Sequence, residues 1–138
     1  MGADRGPAAG PPPASQLANW PVQLRLVPPE APFLRGADLL VCADCVPFAV
    51  PDFHARYLTE RAVVVGCPKL DDLAVYADRL RAIFAASGPR SITVLRMEVP
   101  CCSGLARAAV EAHHAVVPQV PLRVETIGIQ TGAVVSRS

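Results

Sequence analysis

The sequence predicts an α/β fold: a small parallel sheet of the Rossmann-like or flavodoxin-like type, sandwiched by helices. Two observations support this fold class. Short apolar runs rich in β-branched residues recur along the chain, and segments with helical spacing separate them. Strands that alternate with helices form βαβ units, whose strands run parallel and whose crossovers are right-handed. The chain has 138 residues, which is the size of one domain.

The first predicted elements are four strands at the positions 39–41, 62–65, 92–95 and 122–127. The first three are continuously apolar, as expected for strands that are covered by helices on both faces. A further short strand is predicted over 22–26, where apolar and polar residues alternate before Pro28 and Pro29. This strand is expected to lie along a sheet edge.

Helices are predicted between these strands. Apolar residues recur at helical spacing over 73–84, with Asp71 placed to cap the start and Gly88 placed to end the helix. A second helical stripe covers 105–112, and a shorter helix is expected to begin at Asp52.

The domain boundaries follow from composition. Residues 1–19 consist mainly of Gly, Ala and Pro and offer little apolar surface to bury, so they are predicted to be a disordered linker. Residues 20–130 are predicted to form the cysteine-containing α/β domain. Residues 131–138 are predicted to be a disordered tail.

Charge and hydropathy exclude two classes of partner. The formal net charge is +1, and no basic run is present, so we expect no nucleic-acid partner. No apolar stretch approaches the roughly 20 residues that span a bilayer, so we expect no membrane partner. Because the N-terminus lacks the pattern of a secretory signal, we expect a cytoplasmic protein.

The five cysteines carry the strongest functional signal. In a reducing compartment an odd number of thiols argues against a disulfide framework and favours metal binding or thiol chemistry. Each of the three central strands runs into cysteine. Cys42 and Cys45 accompany the first, Cys67 follows the second, and Cys101 and Cys102 follow the third. Neighbouring parallel strands lie about 4.8 Å apart, so these thiols are expected to converge within about 10 Å at one sheet edge.

Thiolates are ligands for iron-sulfur clusters, zinc and copper(I), and composition does not separate these. The adjacent pair Cys101 and Cys102 is awkward for a single ion, because successive side chains diverge, and it favours a larger cluster. A helix N-terminus at Cys102 is expected to depress the pKa of this thiol. Lys69 and Arg96 are the candidate donors near the cluster sulfurs.

Other catalytic patterns are absent from the sequence. It contains no GxGxxG, no Walker loop, no GxSxG and no ferredoxin run of CxxCxxCxxxCP. The CxxC spacing of Cys42 and Cys45 is that of a redox pair, but Cys42 lies at the end of an apolar strand. An isolated buried cysteine most often packs as a small apolar side chain.

Several segments together resemble a known family. The segments are NWPVQL at 19–24, ADC at 43–45, GCPKLDD at 66–72 and MEVPCCS at 97–103. They resemble the C-terminal domain of ferredoxin-like 4Fe-4S iron-sulfur binding proteins, or iron-sulfur oxidoreductases, of anaerobic bacteria and archaea. The resemblance covers about 20–129. In that family a segment with ferredoxin cysteine motifs precedes a Pro/Ala-rich linker. This sequence lacks those motifs, so we expect either that the chain is a fragment or that a separate gene supplies the ferredoxin half.

The resemblance implies an iron-sulfur cluster, most simply 4Fe-4S, with the ligands Cys45, Cys67, Cys101 and Cys102. Cys42 is a weaker candidate, because family members often have alanine at the matching position. We expect an electron-transfer or redox accessory role rather than a stand-alone enzyme. The expected partner is a redox protein such as a ferredoxin or a separately encoded ferredoxin domain. The alternatives are a structural zinc-binding interaction module and a thiol-based redox or sulfur-transfer protein that uses Cys101 and Cys102.

Overall fold

A computed structural model of the chain describes residues 11–138. The strands and helices, in chain order, are β1 (Asp38–Ala43), α1 (Val46–Ala49), a π-helical turn (His54–Leu58), β2 (Ala62–Gly66), α2 (Leu73–Ser87), β3 (Ser91–Met97), α3 (Ser103–Val116), β4 (Leu122–Ile127) and β5 (Val134–Arg137). Short 3-10 turns precede β1 at Pro32–Leu34 and α3 at Pro100–Cys102. All four strands predicted at 39–41, 62–65, 92–95 and 122–127 are present.

The strands form one sheet in the order β2-β1-β3-β4-β5. The first four pair in parallel and β5 pairs antiparallel with β4. From β1 the chain moves outward to β2 and then crosses to β3 on the other side of β1, so the strand order reverses between β1 and β3. In open α/β sheets, ligands bind beyond the carboxyl ends of the strands at such a reversal.

The core lies around the two central strands. In β1 every residue after Asp38 is buried, and β3 is buried at all but two positions. Because helices cover both faces, these strands need apolar residues at successive positions rather than at alternate ones. The helices α2 and α3 pack against each other over the sheet.

The start of α2 differs from the prediction by one residue. Asp72, not Asp71, is the N-cap, and its carboxylate accepts a hydrogen bond of 2.9 Å from the backbone N–H of Ala74. Asp71 instead pairs with the guanidinium of Arg25 at 2.9 Å. The helix ends as predicted at Gly88, which adopts the left-handed conformation with φ of 54°.

The N-terminal edge of the sheet also differs from the prediction. The expected strand at 22–26 reduces to a single bridge between Gln23 and Val65, after which the chain turns. Asn19 is buried, and its side chain both donates to the carbonyl of Val63 at 3.1 Å and accepts from its N–H at 2.9 Å. The last residue of the predicted linker is therefore part of the domain. Residues 1–10 of that linker lie outside the described part of the chain.

The predicted disordered tail at 131–138 is wrong, because Val134–Arg137 form β5. The strand pairs with β4, where Arg137 lies opposite Glu125 and Ser136 opposite Thr126. The Nε atom of Arg137 lies 3.7 Å from the buried carboxylate of Glu125. The backbone pairing with β4 and the contact between Arg137 and Glu125 keep β5 in the sheet. The sequence of β5 alone is too short to show a strand pattern.

Glu125 links three parts of the fold. Its carboxylate accepts a 2.7 Å hydrogen bond from the hydroxyl of Tyr57 and lies 3.1 Å from Arg123. Burial acts to raise the pKa of Glu125, but the hydrogen bonds from Tyr57 and Arg123 and the charge of Arg137 outweigh it and lower the pKa below the ordinary 4.5. Burial and the contact with Glu125 raise the pKa of Tyr57 to about 12.

This lowered pKa predicts an acid-sensitive contribution to stability. A carboxylate with a lowered folded-state pKa contributes stability that is complete above the ordinary value of 4.5 and is lost as the pH falls through the folded-state pKa. We expect Glu125→Gln to lower the free energy of unfolding near neutral pH by about 1–3 kcal/mol and to flatten the acid limb of the pH profile. Urea unfolding from neutral to acid pH measures the free energy of unfolding and its dependence on pH. Glu111→Gln, at an exposed site on α3, is the matched control, and equal profiles for the two variants would contradict the prediction.

Within residues 11–138, none of the helices combines the length and apolar character that a membrane crossing requires.

Candidate functional site

A pocket of about 210 Å³ opens beyond the carboxyl ends of β1, β2 and β3. Its lining residues are Ala43, Asp44, Cys45, Gly66, Cys67, Met97, Val99, Cys101, Cys102 and Ile129. The four cysteines that the sequence predicts as ligands all line this one pocket, and Cys42 is not part of its lining. The topology explains the convergence, because β1 and β3 are the strands between which the order reverses and β2 lies beside β1.

Cys45 occupies the outer side of the pocket. It precedes α1 and is exposed, and its thiol donates to the carboxylate of Asp44 at 3.5 Å. Burial of the sulfur and the hydrogen bond with Asp44 raise the pKa of Cys45, and the nearby thiols of Cys67 and Cys101 raise it further. Without a positive charge in the pocket, the protonated thiol is therefore favoured.

Cys67 is held by α2. Its backbone N–H donates to the hydroxyl of Tyr76 at 3.1 Å, and its carbonyl accepts from the N–H of Leu70 at 3.1 Å. Tyr76 is buried and its ring lies directly against Gly66, where a Cβ atom would come within 2.7 Å of Tyr76 Cζ. The glycine at 66 thus allows the close approach that positions the next residue, Cys67.

Cys101 and Cys102 lie in the helical turn that leads into α3. Cys101 is exposed and Cys102 is buried, so the two adjacent thiols sit at different depths. Burial raises the pKa of Cys102, and the nearby thiols of Cys101 and Cys45 contribute. The expectation of a depressed pKa at Cys102 is therefore wrong, because burial outweighs the backbone hydrogen bond with Met97, which lowers the pKa.

Cys42 lies inside β1 and is fully buried. Its thiol donates to the neighbouring carbonyl of Ala43 at 3.2 Å. Burial raises the pKa of Cys42 strongly, and the charge of Asp44 adds to this effect. A thiol in this environment packs as a small apolar side chain and does not ionise easily.

The two predicted cationic residues lie outside the pocket lining. The guanidinium of Arg96 donates to the carbonyls of Met97 and Val99, both at 3.3 Å. Met97 is the last residue of β3 and Val99 lies in the loop that leads to Cys101, so Arg96 fixes the start of that loop. Lys69 is exposed in the turn after Cys67. Their role as donors to cluster sulfurs stays a prediction.

The comparison with known proteins assigns the fold. Residues 31–138 match the model of a family described as a Rossmann-like domain. The chain belongs to this family. The family confirms the predicted α/β fold class. The match also extends through β5 to the last residue.

One relative of this Rossmann-like domain is an uncharacterized protein of Archaeoglobus fulgidus, which is 39% identical over 90 residues. The matched segment is 65% of this chain and 63% of the relative. The match thus spans less than two thirds of the relative's length. No solved structure matches the chain.

The pocket of the Rossmann-like domain is lined by thiols, but its described side chains do not form a site for a single metal ion. Within residues 11–138, no three His, Cys, Asp or Glu side chains are arranged to hold one metal ion. A tetrahedral zinc site requires four ligand atoms within about 2.3 Å of one point. The pocket has a volume of about 210 Å³ and is partly open to solvent. The thiols line this space as a soft donor set.

Sequence reasoning missed the residues that support the thiols. Tyr76 matches the apolar stripe of α2, and nothing in that pattern shows that its hydroxyl reaches Cys67. Glu98 accepts a 3.0 Å hydrogen bond from the N–H of Ile129, which lines the pocket. Both contacts depend on packing between distant segments.

Proposed function

We propose that this Rossmann-like domain binds an iron-sulfur cluster, with 4Fe-4S as the leading form. Its ligands are Cys45, Cys67, Cys101 and Cys102, and its role is electron transfer or a redox accessory function. The observation that carries the proposal is that four thiols from three strand ends line one pocket at the reversal of strand order. When bound, such a cluster supplies one-electron redox chemistry.

Several properties of the pocket favour a cluster over zinc. The volume leaves room for a polyatomic group between the thiols. Cys101 and Cys102 are adjacent and lie at different depths, which suits the separated corners of a cluster better than the single centre of a zinc ion. The iron atoms supply the positive charge that offsets the raised pKa of Cys45 and Cys102.

The surrounding residues have distinct roles in this proposal. Tyr76 fixes the backbone at Cys67, and Arg96 fixes the loop before Cys101. Because a cubane with four thiolates carries net negative charge, the cationic side chains of Lys69 and Arg96 stabilise it electrostatically and raise its reduction potential. The proposed partner is a redox protein such as a ferredoxin or a separately encoded ferredoxin domain, in line with the resemblance of the cysteine segments.

Anaerobic purification tests the proposal. We expect a brown protein that contains iron and acid-labile sulfide in equal molar amounts, with the electron paramagnetic resonance spectrum of a cluster after reduction. A colourless protein with no metal after reconstitution with iron and sulfide would contradict the proposal.

Two other outcomes would select the alternatives. One zinc per chain without visible absorbance would favour the structural zinc module. Turnover of a persulfide or disulfide substrate by metal-free protein would favour thiol chemistry at Cys101 and Cys102.

A further inference from the structure

A second surface feature lies beside the thiol pocket. It is an open groove of about 450 Å³ between the segment around Trp20 and the helix α1, and Asp44 lines both the groove and the thiol pocket. Two aromatic side chains flank it and are strongly exposed: Trp20 by 76% and Phe48 by 93%. We refer to this feature as the aromatic groove.

The composition of the aromatic groove is that of a protein interface. Its walls are mostly apolar and include Leu17, Val22 and Phe53. No lysine or arginine is among the described residues that line it. Exposed Trp and Phe side chains on a surface depleted of charge are typical of the centre of a protein-protein contact.

We propose that the aromatic groove binds a second copy of this chain, with Phe48 of each copy inserted beside Trp20 of the other across a two-fold axis. A two-fold interface requires one surface that is complementary to itself. The aromatic groove meets this condition, because a protruding ring, Phe48, and a concave apolar site lie on the same face. Two titratable side chains line the groove. Asp44 is half-buried and its carboxylate accepts from the Cys45 thiol, and the Nδ1 atom of His54 accepts from the N–H of Gln16 at 3.1 Å.

The available area favours a weak, reversible dimer. Aromatic side chains bury about 150–250 Å² each, so two copies of Trp20 and Phe48 bury about 600–1,000 Å². The groove walls bring this sum close to the roughly 1,200 Å² at which stable interfaces begin. We therefore expect a dissociation constant in the micromolar range rather than an obligate dimer.

Dimerisation at this face would affect the thiol pocket. Phe48 follows Cys45 by one turn, and its N–H donates to the Cys45 carbonyl at 3.2 Å. A partner in the groove also contacts Asp44, which lines the thiol pocket. The dimer itself depends on apolar contacts and not on a bound metal, so it can be tested independently of the proposed cluster.

Sedimentation analysis of the full, metal-free chain tests the proposal, with a thiol reductant present to prevent disulfides between the exposed cysteines. Concentrations from about 1 μM to about 1 mM cover the expected range of dissociation constants. Trp20 is the single tryptophan of the chain, so its fluorescence reports directly on the aromatic groove. We expect a monomer-dimer equilibrium whose midpoint coincides with a blue shift of the Trp20 emission.

Two matched variants sharpen the test. We expect Phe48→Ser to weaken dimerisation at least about 100-fold, because a central aromatic contact is lost twice in a symmetric dimer. Leu26→Ser removes another exposed apolar side chain, 66% exposed and outside the groove lining, and should change the dissociation constant less than about twofold. Circular dichroism checks that both variants fold.

Other occupants of the groove are distinguishable outcomes. A monomer at all concentrations, or dimerisation that Phe48→Ser leaves unchanged, would overturn the proposal. A monomer whose Trp20 emission shifts to the red when residues 1–10 are removed would assign the groove to the chain's own N-terminus and would also overturn it.

Discussion

Cys67→Ser is expected to abolish cluster loading, whereas Cys42→Ala is expected to leave it intact. Both residues are cysteines that accompany an apolar parallel strand, so the strand pattern alone treats them alike. Their surroundings differ, because Cys67 lines the pocket and Cys42 is fully buried inside β1. Loss of an outer-shell partner of a metal ligand reduces affinity or activity about 10- to 100-fold, and loss of a ligand should exceed this.

The measurement is the iron and acid-labile sulfide retained per chain after anaerobic reconstitution and gel filtration. We expect Cys67→Ser to retain less than about one tenth of the wild-type iron. Cys42→Ala controls for the removal of a thiol and for a change in the core, since alanine fills most of the space of a buried cysteine. Equal iron contents in the two variants would exclude the proposed ligand set, even if the wild-type protein binds a cluster.

The sequence was sufficient to predict the sheet and the position of the thiol pocket. Parallel strands that are covered on both faces need apolar residues at successive positions, and the runs in β1, β2 and β3 show this directly. The carboxyl ends of parallel strands meet at one edge, so cysteines that follow several strands must come close together. This inference depends only on strand direction, which the alternation of strands and helices determines.

Features that depend on contacts between distant segments were not predictable. The strand β5 is held by pairing with β4 and by the contact of Arg137 with Glu125. The side chain of Asn19 forms hydrogen bonds with the N–H and the C=O of Val63, 44 residues away, as the backbone of a neighbouring strand would. Local composition gives no sign of either contact, which explains why the domain extends beyond both predicted boundaries.

Two other errors have local physical causes. Asp71 and Asp72 are adjacent carboxylates, and either satisfies the sequence rule for a helix cap; the ion pair with Arg25 leaves the cap to Asp72. At Cys102 burial raises the pKa and outweighs the backbone hydrogen bond with Met97, which lowers it. The sequence indicates the helix start but not the depth of the thiol, so the direction of the pKa shift required the structure.

Gly66→Ala is expected to destabilise the domain by about 2–4 kcal/mol, which is a large effect for one methyl group. The added Cβ would lie 2.7 Å from both Cζ and Oη of Tyr76. Tyr76 is 2% exposed, so its ring is enclosed by neighbouring residues. The expected cost combines overpacking with loss of the hydrogen bond between Tyr76 and the N–H of Cys67. Urea unfolding measures the change in the free energy of unfolding.

Gly104→Ala is the matched control. Its Cβ would meet the tip of the Leu73 side chain at 3.1 Å, a flexible and half-exposed neighbour. Alanine is also favoured over glycine inside a helix by about 1 kcal/mol, so we expect a change within about 1 kcal/mol of zero. If the two glycine variants were equally stable, the close approach of Tyr76 to Gly66 would not be a constraint.

A double-mutant cycle separates overpacking from other effects of Gly66→Ala. Tyr76→Leu removes the ring that the new methyl group would meet, at a cost to stability of its own. Because the two residues are in contact, their effects should not be additive, and Gly66→Ala should cost at least about 1 kcal/mol less in the Tyr76→Leu background. If the stability costs of Gly66→Ala and Tyr76→Leu were additive, the contact between the new methyl group and the Tyr76 ring would not be the cause of the destabilisation. Retained iron in the same variants then tests whether the position of Cys67, which follows Gly66 directly, depends on this contact.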